Sequence, residues 1–276
     1  MLDTPKHIAA PVAGRKLLDG RSAIVTGSTS GIGLGIASKL AEAGCAVMLN
    51  GFGDSTEIEA MRAGLAEAND VDVAYSDADM SKPGAIARMA DMATRRFGQV
   101  DIVVNNAGIQ HVAPVETFPP EKWDLILAIN LSSAFHLVRA VLPQMKTQGW
   151  GRIINISSAH GLIASPFKSA YVAAKHGIVG FTKTVALETA ELGITSNAIC
   201  PGYVWTPLVE KQIDDQAKAH NIAREQVIRD VLLKNQPNKR FATVEEIGAL
   251  TAFLCSEFGA SITGTAIPVD GGWTAH

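Results

Sequence analysis

Between Ser158 and Lys175 the chain sets a hydroxyl, a phenol and an ammonium at spacings suited to proton transfer, with His160 and Lys168 interleaved. Tyr171 and Lys175 are four residues apart, just over one helical turn, so the phenol and the ammonium share a helix face. A free phenol has a pKa of about 10 and is a poor base at neutral pH unless a neighbouring cation favours the phenolate. Lys175 is placed to supply that charge. Taken alone, Tyr-x-x-x-Lys also describes an ordinary exposed helix face, because the pattern is short. Three other segments decide between the two readings.

The first is the apolar run Ala23-Ile24-Val25, followed by Thr26-Gly27-Ser28-Thr29-Ser30-Gly31-Ile32-Gly33 and then Leu34 to Leu40. This reads as strand, glycine turn and helix. Glycines at 27, 31 and 33 let the backbone approach a pyrophosphate, and the amides and dipole at the helix start attract its charge. The second segment, Val100 to Gly108, is an apolar strand ending in Asn105-Asn106-Ala107-Gly108, and the third, Ile153 to Ser158, delivers Ser158. In an open parallel sheet, ligands sit beyond the carboxyl ends of strands, so all three endings face one crevice. A dinucleotide is the expected ligand.

The elements that must hold these groups alternate. Ala46–Leu49 and Val71–Tyr75 are further strands, as are Ile194–Cys200 and Ala266–Asp270. Helical periodicity runs from about Thr56 to Asn69 and from Ala85 to Phe97, and helices follow near Glu121–Gln148 and Ala170–Leu192. This order predicts an α/β fold: one doubly wound, Rossmann-type parallel sheet with helices on both faces. Residues 205–236 are charged and weakly apolar, and follow Pro201-Gly202 at the crevice, so they read as a helical lid over the substrate; a plain surface helical pair is the alternative. Residues 1–18 are expected to be a loose N-terminal arm, leaving one domain over 19–276.

A chain of 276 residues with 47% hydrophobic content fits one large domain. A net charge of −3 without blocks of like charge gives no reason to expect nucleic acid or a membrane surface as partner. Cys45, Cys200 and Cys255 lie far apart without Cys-x-x-Cys spacing, which argues against a disulfide scaffold and a zinc site and for reduced thiols in a cytoplasm. No run of about 18 apolar residues and no secretory leader is evident. No metal is expected.

After the second strand, Asn50-Gly51-Phe52-Gly53-Asp54 offers no base before Arg62. An adenosine 2′-phosphate would want Arg or Lys there, so NAD is favoured over NADP. Either Asp54 holds the ribose or Phe52 packs against the adenosine. Asp79 either bonds the adenine or caps the helix that follows. Gln110, His160, Lys168 and Gln212 have no part in proton transfer, yet their elements would converge on one pocket. An ammonium with amide and imidazole donors suits a small carboxylate. Plain alternatives stand beside this: Lys168 a solvated loop lysine, His160 a helix-start or core histidine, Gln212 a surface residue.

Together, Thr26-Gly27-x-x-x-Gly31-x-Gly33, Asn105-Asn106-Ala107-Gly108, Asn130, Ser158, Tyr171, Lys175 and Pro201-Gly202 resemble the short-chain dehydrogenase/reductase family from about residue 20 to the end. The resemblance implies a nicotinamide cofactor and a catalytic tetrad of Asn130, Ser158, Tyr171 and Lys175, with Asn130 linking Lys175 to solvent. It assigns the cofactor to Gly27, Thr29, Ser30, Gly31, Ile32, Gly33, Phe52, Ala78, Asp79, Met80, Asn106, Ala107, Gly108, Tyr171, Lys175, Pro201, Gly202, Val204, Thr206 and Leu208. Ile109-Gln110-His111, Ser158-Ala159-His160, Lys168-Ser169-Ala170-Tyr171, Thr206-Pro207-Leu208 and Asp270-Gly271-Gly272-Trp273 narrow it to a branch of bacterial enzymes that oxidise D-3-hydroxybutyrate to acetoacetate. That branch implies a substrate held by Gln110, Ser158, His160, Lys168, Tyr171 and Gln212, and a homotetramer in which Trp273 helps wall a pocket. Tyr203 stands where the branch commonly has Trp, with Trp205 two residues on, so an aromatic wall is retained with altered packing. Two other readings share the motifs: an NADPH-dependent reductase of acyl thioesters, and a nucleotide-sensing regulator without activity.

Overall fold

A computed structural model describes residues 16–220 and 222–275, apart from the side chains of 208, 215, 216 and 218–220. Seven strands form one parallel sheet: β1 (Ser22–Val25), β2 (Ala46–Asn50), β3 (Val73–Ser76), β4 (Ile102–Asn105), β5 (Gly151–Ile156), β6 (Ile194–Pro201) and β7 (Ala266–Val269). Their order is β3-β2-β1-β4-β5-β6-β7, so the winding reverses between β1 and β4 and opens a crevice at their carboxyl ends. The helices are α1 (Gly31–Glu42), α2 (Ser55–Asn69), α3 (Pro83–Phe97), α4 (Pro120–Leu127), α5 (Ser133–Gln148), α6 (Ser169–Glu188), α7 (Pro207–His220), α8 (Arg224–Gln226) and α9 (Val244–Cys255).

Successive strand residues point to opposite faces and feed two cores. Val25, Leu49, Val104 and Ile154 pack with Ile36 and Leu40 of α1 and with Ile247 and Leu254 of α9. Ile24, Met48, Val103 and Ile153 pack with Ile86 and Met89 of α3 and with Leu137, Val141 and Met145 of α5. Burial on both faces explains why β1 and β4 read as continuous apolar runs. The doubly wound prediction holds strand for strand.

Three details differ from expectation. Leu18 is in the core, its N–H donates to the Ala43 carbonyl at 2.7 Å, and the Lys16 ammonium donates to the Asn69 carbonyl at 2.6 Å. The domain therefore includes residues 16–18, and the rest of the expected arm lies outside the described residues. The single helix expected over Glu121–Gln148 is interrupted by a π-helical turn at Ala128–Ser132, which joins α4 to α5 and contains Asn130. Helix α9 was not foreseen, although a capping box opens it: Thr243 Oγ1 accepts from the Glu246 N–H at 3.2 Å, and the Glu246 carboxylate accepts from the Thr243 N–H at 2.7 Å.

The helix Pro120–Gln148 is long and apolar enough to cross a membrane by length and composition. Its apolar residues Leu137, Val138, Val141 and Met145 are buried in the second core. The three cysteines are buried and unpaired, and burial pushes the Cys255 thiol up to about 12. No group of three His, Cys, Asp or Glu side chains able to hold a metal occurs among the described residues.

Within 205–236, α7, α8 and a π-helical turn at Val227–Leu232 gather around Ile213, Val227 and Leu232, a small core distinct from the two on the sheet. The two ends of this excursion are stitched together. Trp205 N–H donates to the Ala242 carbonyl at 2.8 Å, Ala242 N–H to the Tyr203 carbonyl at 3.0 Å, and buried Gln236 accepts from the Tyr203 N–H at 3.1 Å while donating to the Arg240 carbonyl.

Candidate active site

The crevice holds a cavity of about 540 Å³ lined by the glycine turn, Phe52, Ala78 to Met80, Asn106 to Gly108 and Thr206. Gly27 and Gly31 have φ of 62° and 54°, in the left-handed region that side chains disfavour. A Cβ on Gly33 would lie 2.1 Å from the Gly27 carbonyl oxygen and 2.5 Å from Asn106 Nδ2. Ser30, the N-cap of α1, makes no side-chain cap bond, so the first amides of α1 remain available to an anion. Asn106 braces the turn by donating to the carbonyls of Thr26 and Gly27, both at 2.9 Å. The shape and donor set fit the pyrophosphate and adenosine of a dinucleotide.

Asn50 carries no motif, and its part is visible only in the fold. At the end of β2 its amide accepts from the Gly27 N–H at 3.3 Å and donates to the carbonyls of Ser76 and Ala78 at 3.1 and 2.9 Å. It thereby ties the glycine turn to the end of β3. Asp54 is the N-cap of α2, accepting from Thr56 and Glu57, so its carboxylate is engaged there and Phe52 is the residue at the cavity rim. Asp79 lines the cavity and accepts from the Ser81 N–H at 2.8 Å, while the cap position of α3 falls to Lys82. The Ser81 side chain, then its N–H, hold the Asp79 carboxyl below the ordinary range.

Not every expected cofactor residue faces this cavity. Pro201 ends β6, the Gly202 N–H donates to the Val269 carbonyl at 3.0 Å, and Val204 bridges to Ala242. These three shape the backbone beside the cavity, and the side chain of Leu208 lies outside the described residues.

The catalytic groups come from β5 and α6. Ser158 follows β5, and its Oγ accepts from the His160 N–H at 3.1 Å and is bonded to the Tyr171 hydroxyl. Lys175 is buried and donates to the Ile156 carbonyl at 2.7 Å, with Nζ 5.6 Å from the centre of the Tyr171 ring. Burial pulls the Lys175 ammonium down to about 8. Burial also pushes the Tyr171 phenol up from 10.0, opposed by the hydrogen bond from Ser158. The bond to Ile156 uses one of the three Lys175 donors, and Ser158 is a further group that lowers the phenol.

Two braces hold α6 in register with the sheet. Ser157 Oγ donates to the Lys175 carbonyl at 2.9 Å. A buried chain links β4, β5 and α6: the Asn105 amide donates to the Asn155 amide oxygen, and the Asn155 amide to the Thr182 hydroxyl, each at 2.8 Å. Asn130 is buried in its π-helical turn, and its amide accepts from the Ile109 N–H and donates to the Ile109 carbonyl, both at 2.9 Å. One donor and one acceptor of that amide hold the loop after β4, which leaves its second N–H free for a further partner.

His160 lies beside the phenol, close enough to Lys168 to feel its charge. The His160 ring lies 6.2 Å from Tyr171 and 5.2 Å from Trp273, edge-on to both, and Tyr203 stacks on Trp273 at 6.0 Å. Trp273 therefore reaches the pocket of its own chain. Burial, then the Lys168 charge, lower the His160 pKa from 6.5 to about 4, so the ring is neutral at physiological pH. Lys168 follows Phe167, whose φ of 65° is strained for a side chain and whose carbonyl is fixed by the Ala113 N–H at 2.9 Å. Its ammonium, lowered by burial, has no ion pair among the described residues. Gln110 and Gln212 are exposed, and neither side chain is hydrogen-bonded among the described residues. The fold brings Ser158, His160 and Tyr171 together, sets Lys168 where its charge reaches His160, and leaves the two glutamines exposed.

The buried imidazole carries a stability consequence. Its folded pKa lies below the unfolded value, so the unfolded chain takes the proton first as pH falls. The contribution is whole above about 6.5 and is lost toward about 4. Denaturant unfolding should show wild type losing about 2 to 3 kcal/mol more than His160→Gln between pH 7 and pH 4.5. Parallel losses in the two proteins would contradict the buried neutral ring.

The family model described as enoyl-(acyl carrier protein) reductase matches residues 27–274. The chain is 59% identical over 256 residues to D-beta-hydroxybutyrate dehydrogenase of Rhizobium meliloti (strain 1021), covering 93% of this chain and 99% of that one. It is 56% identical over 261 residues to D-beta-hydroxybutyrate dehydrogenase of Cupriavidus necator, covering 94% and 100%. The crystal structure of levodione reductase superposes with a TM-score of 0.84 at 36% identity, over 94% of this chain and 99% of that one. With the glycine turn, the Ser158–Tyr171 contact and the seven-stranded sheet in their places, these similarities make the chain a member of the short-chain dehydrogenase/reductase family, an oxidoreductase that takes a nicotinamide cofactor.

Proposed function

We propose that this chain catalyses the reversible NAD-dependent oxidation of D-3-hydroxybutyrate to acetoacetate. The observation that carries the reading is a half-buried Lys168 ammonium without an acidic partner among the described residues, its charge felt by neutral His160, which itself lies against Tyr171. A desolvated cation favours a compact anion, and the substrate carboxylate is that anion. The relatives named D-beta-hydroxybutyrate dehydrogenase support the same substrate.

In this reading Lys168 and His160 hold the carboxylate, with Gln110 and Gln212 joining when the 205–236 excursion closes as a lid. Ser158 bonds the C3 oxygen, and Tyr171 takes its proton. The bound nicotinamide supplies the hydride acceptor for oxidation and the donor for reduction. Lys175 is assigned to the cofactor ribose, and Asn130 is a positioning residue that sets the Ile109 backbone at the cavity wall. Because burial keeps the phenol protonated, Tyr171 is ready to protonate acetoacetate at neutral pH, whereas oxidation gains as pH rises.

NAD is assigned over NADP because no basic side chain lines the adenosine end, where Phe52, Ala78, Asp79 and Met80 stand. Initial rates with D-3-hydroxybutyrate should be at least about tenfold faster with NAD than with NADP at equal concentration. NADH should form from the D isomer and not the L isomer. Preference for NADPH and a carrier-bound 3-oxoacyl thioester would replace this reading with an acyl-thioester reductase. Absence of turnover with either cofactor would favour a nucleotide sensor. A homotetramer in the cytoplasm is part of the same proposal, supported by exposed Phe135 and the apolar groove it forms with Leu142 and Phe181 between α5 and α6, which a second copy would cover.

A further inference from the structure

We propose that Asp270 is a positioning residue for substrate length, acting through Trp273; this rests on the hydroxy-acid reading above. Asp270 directly follows β7 and is 5% exposed. One carboxylate oxygen accepts from the Gly272 N–H at 3.0 Å, and the other accepts from the Thr274 N–H at 2.8 Å and the Thr274 hydroxyl at 2.6 Å. A buried carboxylate with three donors and no ion pair among the described residues is committed wholly to folding one turn. That turn carries a single large side chain, Trp273.

The turn is fixed to its surroundings as well. Gly271 has φ of 60°, and a Cβ there would lie 2.2 Å from Asn238 Oδ1. Its carbonyl accepts from the Asn238 N–H at 3.2 Å, and the Trp273 N–H donates to the Asp270 carbonyl at 3.2 Å. The indole is thus delivered within 3° of parallel to Tyr203, stacked on it, and edge-on to His160. His160, Trp273 and Tyr203 form a continuous wall that starts beside Tyr171. On this proposal the wall limits how far an acid held beside Tyr171 can extend, so a longer acid is disfavoured as long as the stack keeps its place. Without the Asp270 carboxylate the turn loses three hydrogen bonds and the indole its fixed direction.

The test compares kcat/KM for D-3-hydroxybutyrate and D-3-hydroxyhexanoate, with NAD, in wild type, Asp270→Ala, Trp273→Ala and the double variant. Asp270→Ala and Trp273→Ala should each lower the preference for the shorter acid at least about tenfold, with KM for NAD within about twofold. The double variant should show no further loss, because both substitutions remove the same wall. Should Asp270→Ala fail to fold, Thr274→Val removes one of the three donors and should move the preference in the same direction by a smaller factor. An unchanged preference in a folded Asp270→Ala or Thr274→Val protein, with only a lower melting temperature, overturns the proposal. So does an additive double variant. Wild type inactive on both acids sinks the hydroxy-acid reading instead, which separates the two failures.

Discussion

Tyr171→Phe is expected to reduce kcat for hydroxybutyrate oxidation by about 10²- to 10⁴-fold or more while leaving NADH binding within about twofold. The substitution removes one oxygen and keeps the ring, so the edge contact with His160 survives. What is lost is the hydroxyl bonded to Ser158, the group assigned to the C3 proton in both directions. Stopped-flow turnover and fluorescence titration with NADH check the two halves separately. Rates near wild type would remove Tyr171 from the chemistry. A large loss of NADH affinity would mean that the hydroxyl supports the cofactor more than the reaction.

Lys168→Ala is expected to raise KM for D-3-hydroxybutyrate roughly 10- to 150-fold, the equivalent of one charge-assisted hydrogen bond, with KM for NAD within about twofold. The ammonium is lowered by burial and unpaired among the described residues, so it is available to a substrate carboxylate. Lys168→Arg should recover part of the loss, since it restores charge without the point geometry of an ammonium. Steady-state kinetics with each substrate varied in turn checks this. Equal rises in both KM values would argue against a carboxylate contact.

Much of the site is written in short stretches of chain. The glycine turn, the strand endings at Asn106 and Ser158 and the helical pair Tyr171/Lys175 are local patterns with local geometry, and the fold puts each where its pattern implies. What stayed hidden depends on partners distant in sequence. Asn50 braces a turn 23 residues earlier, and Ser157 reaches a carbonyl 18 residues later. The choice of Ile156 by the Lys175 ammonium is a matter of side-chain direction, to which residue spacing is blind. Trp273 meets His160 only because β7 lies beside β6. Helix α9 is the opposite case: its Thr243–Glu246 box is plainly legible.

The π-helical turn at Ala128–Ser132 accommodates one residue more than an α-helix would over the same rise. Deleting that residue would regularise the hydrogen bonding, yet it would rotate α4 against α5 by about 100°, the angle one residue subtends. Asn130 would swing off Ile109, or Leu137 and Val141 would leave the core. Local regularity and global placement are thus opposed in this segment, and a shorter, more regular helix would be a worse component. The extra residue works as a phase shifter between the half of the helix that serves the cavity and the half that serves the core.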